Sequence, residues 1–229
     1  PAGQEKDFTV FYSFKDLKPN TRYDVRLEGK PTEKGLVQKT VGNFMTAPAI
    51  YDKKELNLTT STCQYFWSHD DSLKGFHTYR SMALLKPDLF VQTGDYVYYD
   101  KPGPMANTPE KARHKWHAMD AWPSLKSFYQ FTPVYMLKDL LADDVHPGSA
   151  SFGQLTISDG LKIWHENVPL AGKPYRTLRW GKDVQLWFLE GREYRSNNDM
   201  PDGATKTIWG NEQKNWLLNT MQQSDATYK

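Results

Sequence analysis

Only one cysteine, Cys63, occurs in 229 residues, which excludes an internal disulfide framework. No stretch stays apolar for the length a membrane span needs, so no transmembrane helix is expected. Charge of one sign is not in excess, since 29 Lys and Arg face 27 Asp and Glu and leave a formal net charge of +2. That balance argues against a dedicated nucleic-acid-binding module or an anionic membrane surface as partner. Repeats and low-complexity tracts are missing, and no leader or initiator Met precedes Pro1. Either a leader has been removed or the sequence begins inside a longer protein. What remains is 38% hydrophobic and 14% aromatic, the composition of a globular chain able to bury a substantial core.

The chain is organised around the stretch Lys86 to Asp100. Its apolar run Leu89–Val91 reads as a short, fully buried strand, and Gly94 supplies the freedom to turn as that strand ends. Asp95 then stands at a strand's C-terminal edge, where open α/β sheets place their ligands. With Tyr98 following, a carboxylate and a phenol are offered together, and iron(III) is acid enough to bind Tyr as phenolate. Two readings of this stretch stand side by side: half of a metal site, or a core strand followed by a polar turn that Asp95 caps and Tyr98 packs.

Upstream, Asp7–Phe14 and Tyr23–Glu28 alternate polar and apolar residues, and Gly42–Pro48 suggests a third strand. Three strands make an incomplete sandwich, so further strands are expected from outside this sequence or from another segment. Ala47-Pro48-Ala49 reads as a linker. A strand over Leu56–Thr60 ends at Ser61-Thr62-Cys63-Gln64, and Gly75–Leu85 carries helical spacing until Pro87. Strand, helix, strand is a βαβ unit, so the sheet is expected to be partly parallel, with Cys63 and Asp95 at neighbouring C-terminal edges. Thr108-Pro109-Glu110 starts a helix on which His114 and His117 share a face, either as a ligand pair or, preferably, as part of a solvated surface. Ser124–Gln130 reads as a helix and Thr132–Leu137 as a strand. Asp143, Asp144 and His146 crowd one loop. Tyr175–Trp180 and Val184–Leu189 flank Gly181-Lys182-Asp183 as a hairpin. Arg192 and Arg195 lie in the polar loop that follows, and Ile208–Met221 is an amphipathic helix. Trp122, Tyr129, Trp164 and Trp187 either line a cleft or belong to the core.

Taken in order, several of these segments resemble the alkaline phosphatase D (PhoD-like) metallophosphoesterases. The resemblance runs through Leu17–Tyr23 and Thr46-Ala47-Pro48, then Ser61–Gln64 and Gly94–Tyr98. It continues through Tyr175-Arg176 with Arg179-Trp180-Gly181 and through Arg192–Ser196, and it closes on Gly210–Leu217 with Ser224-Asp225-Ala226. It implies a mixed α/β fold: a metallophosphoesterase-type layered αββα core over residues 50–229, after a partial fibronectin- or immunoglobulin-like β domain over residues 1–49. By position it assigns Cys63, Asp95, Tyr98 and Asp139 to metal, with iron(III) and calcium as cofactors. Arg192 or Arg195 would clamp phosphate, or serve structural pairing. Hydrolysis of phosphate diesters or monoesters outside the cytoplasm, secreted or periplasmic, would be the activity. A non-catalytic extracellular binding or scaffold relative is the alternative, and an enzyme acting on another anionic ester, such as a sulfate, is a third.

The sequence departs from the family pattern at two places. After Leu137 the family carries Asp-Asp-His-Asp or Asp-Asp-His-Glu, whereas here Lys138-Asp139 passes straight to Leu140-Leu141-Ala142, as if one Asp-His-Asp unit were removed. The late Gly-Asp-x-His-type ligand motif is expected beyond Lys229.

Overall fold

The computed structural model describes residues 2–32, 34–137, 151–170 and 172–229. Its centre is a three-stranded parallel sheet in the order β3 (Leu58–Ser61), β4 (Leu89–Gln92), β5 (Val134–Met136). β4 is buried at every position because it is the middle strand and both of its faces are covered. The expected βαβ unit is present: β3 leads through α1 (His77–Leu84) to β4, in register Leu58 opposite Leu89. Pro87 follows α1 and prevents its continuation.

Alternation along β4 sends Phe90 to one face and Leu89 and Val91 to the other. Phe90 meets Phe128 and Tyr79 at ring-centroid distances of 5.2 and 5.9 Å. Those rings come from α3 (Pro123–Phe131) and α1, so helices cover that face. Burying side chains of this size is worth roughly 1.5–3 kcal/mol each. Leu89 and Val91 pack instead with Trp180 and Phe188 of the antiparallel hairpin β8 (Arg176–Trp180) and β9 (Val184–Phe188). On the hairpin's far side, Trp187 Nε1 donates to Thr220 Oγ1 of α5 (Gly210–Gln223) at 2.9 Å. α2 (Pro109–Asp120) starts where Thr108 caps it, and Arg113 forks onto Glu166 of α4 (Ile157–Asn167) at 2.7 and 2.8 Å. α4 follows the two-residue strands β6 (Ser151–Phe152) and β7 (Leu155–Thr156), and it begins in a capping box formed by Thr156 and Asp159.

The N-terminal part departs from the sequence reading. β1 (Arg22–Gly29) and β2 (Gln38–Met45) pair antiparallel, Arg22 opposite Met45, but residues 9–15 form no strand. Alternation alone does not make a strand without a partner ladder, and Phe8, Phe11, Tyr12 and Phe14 remain exposed. Among the described residues this part is a two-stranded ribbon. It lies against α3, where Gln130 Nε2 donates to Thr40 Oγ1 at 2.8 Å. Gly42 permits the approach, since a Cβ there would stand 2.4 Å from the Gln130 carbonyl oxygen.

Of the aromatic residues left open between cleft and core, Trp164 is buried, and Trp122 and Tyr129 pack on the main core cluster. Tyr129 also lines a large cavity between the β1–β2 ribbon, β5 and β8. His117 is exposed, with Nε2 2.5 Å from Asp7 Oδ2, and His114 is exposed beside it. No helix among the described residues is long and apolar enough to cross a membrane.

Candidate metal centre

Parallel pairing brings the ends of β3 and β4 together, and backbone hydrogen bonds carry that pairing into the two loops. Thr93 N donates to Ser61 O, Cys63 N to Gly94 O and Gln64 N to Asp95 O, at 2.9, 3.3 and 2.7 Å. Gln92, fully buried, accepts from Gly94 N through Oε1 at 2.6 Å and so fixes the turn that presents Asp95. Cys63 and Asp95 both sit in the left-handed region, with φ of 55° and 54°. For residues with a Cβ this conformation is strained by about 1–3 kcal/mol and persists only where the surroundings hold it.

The two strained residues face each other. Cys63 Sγ donates to Asp95 Oδ2 at 3.0 Å, and the Tyr98 hydroxyl donates to the same oxygen at 2.9 Å. A thiol, a carboxylate and a phenol thus converge on one point, with Cys63 exposed and the other two half-buried. Burial first, then the hydrogen bonds to Cys63 and Asp95, push the Tyr98 phenol well above its ordinary pKa. As a donor set the trio fits a hard, strongly acidic cation such as iron(III), which would take the place of the two shared protons. Among the described residues no group of three His, Cys, Asp or Glu side chains comes together, so the third member of this cluster is the phenol.

Arg192 and Arg195 are half-buried in the loop after β9. The course of β9 shows where that loop leaves the fold. At the turn before β9, Lys182 N donates to Asp52 O at 2.7 Å, and Trp180 Nε1 donates to Glu55 O at 3.0 Å, both ahead of β3. At the end of β9, Phe188 stacks on Tyr135 of β5 with ring centroids 4.8 Å apart. β9 therefore runs from the N-terminal toward the C-terminal edge of the parallel strands, and its outgoing loop emerges on the edge that bears Cys63 and Asp95. Glu190, which sequence reading passed over, anchors that loop. Its buried carboxylate accepts from Arg192 N and Glu193 N at 2.9 and 2.7 Å, while Gln213 of α5 bonds both its backbone N–H and its carbonyl at 2.7 Å. A glutamate directly after an apolar strand was the available signal. Asp139, Asp143, Asp144 and His146 lie outside the described residues.

Residues 144–229 match the family model of the PhoD-like phosphatases. Over that stretch the chain is similar to the PhoD-like phosphatases, and the match spans less than half of its length. A solved structure, that of PhoD, is similar over 98% of this chain with a TM-score of 0.75 and 21% identity. At that identity the likeness concerns the fold, a mixed α/β architecture. The chain covers 49% of that structure, about half its length. No curated protein matches the chain.

Proposed function

We propose that the chain is a PhoD-like protein and contributes the metal-binding half-site of a metal-dependent phosphoesterase that hydrolyses phosphate diesters or monoesters. The observation that carries this reading is the convergence of Cys63 Sγ and the Tyr98 hydroxyl on Asp95 Oδ2 at the C-terminal edge of a parallel sheet. A packed turn has no need of a thiol and a phenol on one carboxylate oxygen, held by two strained backbones. Iron(III) would be held by Cys63, Asp95 and Tyr98, with Asp139 as a further ligand and calcium on harder oxygen donors. When bound, such metals supply a hydroxide at neutral or alkaline pH for in-line attack on phosphorus.

The chain's own residues do the rest. Asp95 orients the thiol and the phenol toward one point. The guanidinium of Arg192 or Arg195, on the loop that Glu190 and Gln213 anchor, neutralises the equatorial oxygens of the ester through its planar fork. In this reading residues 50–229 are the layered αββα catalytic domain and residues 1–49 part of a fibronectin-like domain, and the protein works in a secreted or periplasmic setting. The shortened run after Asp139 favours a second reading, a non-catalytic extracellular relative that keeps the fold with a degenerate site.

Hydrolysis of bis(4-nitrophenyl) phosphate at alkaline pH separates the two. Asp95→Asn should lower turnover more than about 100-fold, because a ligand is lost rather than a supporting contact. Turnover unchanged by the substitution would remove Asp95 from the chemistry, and no turnover in the parent chain loaded with metal would favour the non-catalytic reading.

A further inference from the structure

Beside the trio lies a separate cavity of about 210 Å³ lined by Tyr65, Phe66, Trp67, Tyr98, His114 and Lys115, among others. Tyr98 belongs to both, so the cavity adjoins the candidate metal centre. The loop that carries Cys63 also supplies its aromatic wall, two to four residues further on. Tyr65 stands edge-on to Tyr98 with ring centroids 6.1 Å apart, and Phe66 is edge-on to Trp67 at 5.1 Å.

Trp67 is the unusual member. It is 55% exposed, yet its indole is fixed: Nε1 donates to Pro102 O at 3.3 Å, and Gly103 lies against the ring. A Cβ on Gly103, whose φ is +107°, would stand 2.2 Å from Nε1. A large aromatic surface is therefore held partly open to solvent in one orientation. Aromatic walls alone would suit an ammonium ligand. Lys115 argues against that occupant, since the residue lines the same cavity, its ammonium donates to Lys101 O at 2.9 Å and burial draws its pKa down. A second cation there would be repelled.

We propose that this cavity binds the organic group of the ester, and that it selects a flat, uncharged aromatic ring over an ammonium-bearing or short alkyl group. The inference rests on the phosphoesterase reading above and adds the substrate class to it. The ester's phosphorus would sit at the trio while its ring enters past Tyr98 and stacks on Trp67.

Binding of phosphonates, which are not turned over, tests this by calorimetry on the chain loaded with iron(III) and calcium. Phenylphosphonate should bind at least about tenfold more tightly than methylphosphonate or phosphocholine, the gain expected from burying one ring. Ala118→Phe, which fills the cavity from α2, should abolish that preference and leave methylphosphonate binding unchanged. Trp67→Ala, at a position 55% exposed, should reduce it several-fold. Equal binding of phenyl and methyl probes would overturn the subsite and leave the phosphoesterase reading standing. A phenyl preference that survives both substitutions would place the ring elsewhere and overturn it too. Tightest binding of phosphocholine would overturn the selection against ammonium groups, and no binding of methylphosphonate itself would overturn the underlying reading along with the subsite.

Discussion

Cys63 and Asp95 are 32 residues apart in sequence, yet Sγ of one lies 3.0 Å from Oδ2 of the other, and both hold a left-handed backbone to do so. Strain of this kind at two facing residues is accounted for by what their side chains do together, since neither position gains stability from it. Glycine adopts the same φ without penalty. Cys63→Gly should therefore leave the metal-free chain more stable than Cys63→Ala by about 1 kcal/mol. Urea unfolding of the two metal-free variants measures the difference, and an alanine variant at least as stable as the glycine one would mean the backbone is not strained at Cys63.

The β1–β2 ribbon depends on the close approach at Gly42. Gly42→Ala places a Cβ against the Gln130 carbonyl and should cost about 1–3 kcal/mol, as overpacking does. Thermal unfolding would report it as a lowered Tm. Gly29→Ala, in the same ribbon with nothing within 4 Å of its added carbon, should be milder.

Much of the site's setting was legible because it rests on local rules. The apolar run Leu89–Val91, with Pro87 ahead of it and Gly94 behind, marks a buried strand whatever surrounds it, and strand, helix, strand then dictates that Cys63 and Asp95 meet. Thr108-Pro109-Glu110 marks the start of α2 in the same local way. The alternation over Asp7–Phe14 misled because a strand needs a neighbour, and the sequence pattern does not say whether one is there. α4 went unread although Thr156 and Asp159 spell its capping box. The pinned indole of Trp67 had no local signal at all, since its fixation depends on Pro102 and Gly103 being folded back against it.

That capping box makes a pH prediction. Hydrogen bonds from the Thr156 hydroxyl and backbone hold the Asp159 carboxyl below its ordinary pKa. A carboxylate whose folded pKa is depressed adds stability above its unfolded pKa and loses it as pH falls through the folded value. Asp159→Ala should cost about 1 kcal/mol at pH 7 and progressively less in acid below the usual carboxylate range. Urea titrations of parent and variant across that range check it, and a gap that widens in acid would contradict the assignment.

In the proposed reading Cys63, Asp95 and Tyr98 hold a metal. Its most direct test is the metal content and visible absorption of the purified full chain after reconstitution with iron(III). Bound iron is expected, with a thiolate or phenolate charge-transfer band that Tyr98→Phe shifts or abolishes. A colourless, iron-free chain after reconstitution, or a band indifferent to Tyr98→Phe, would contradict it.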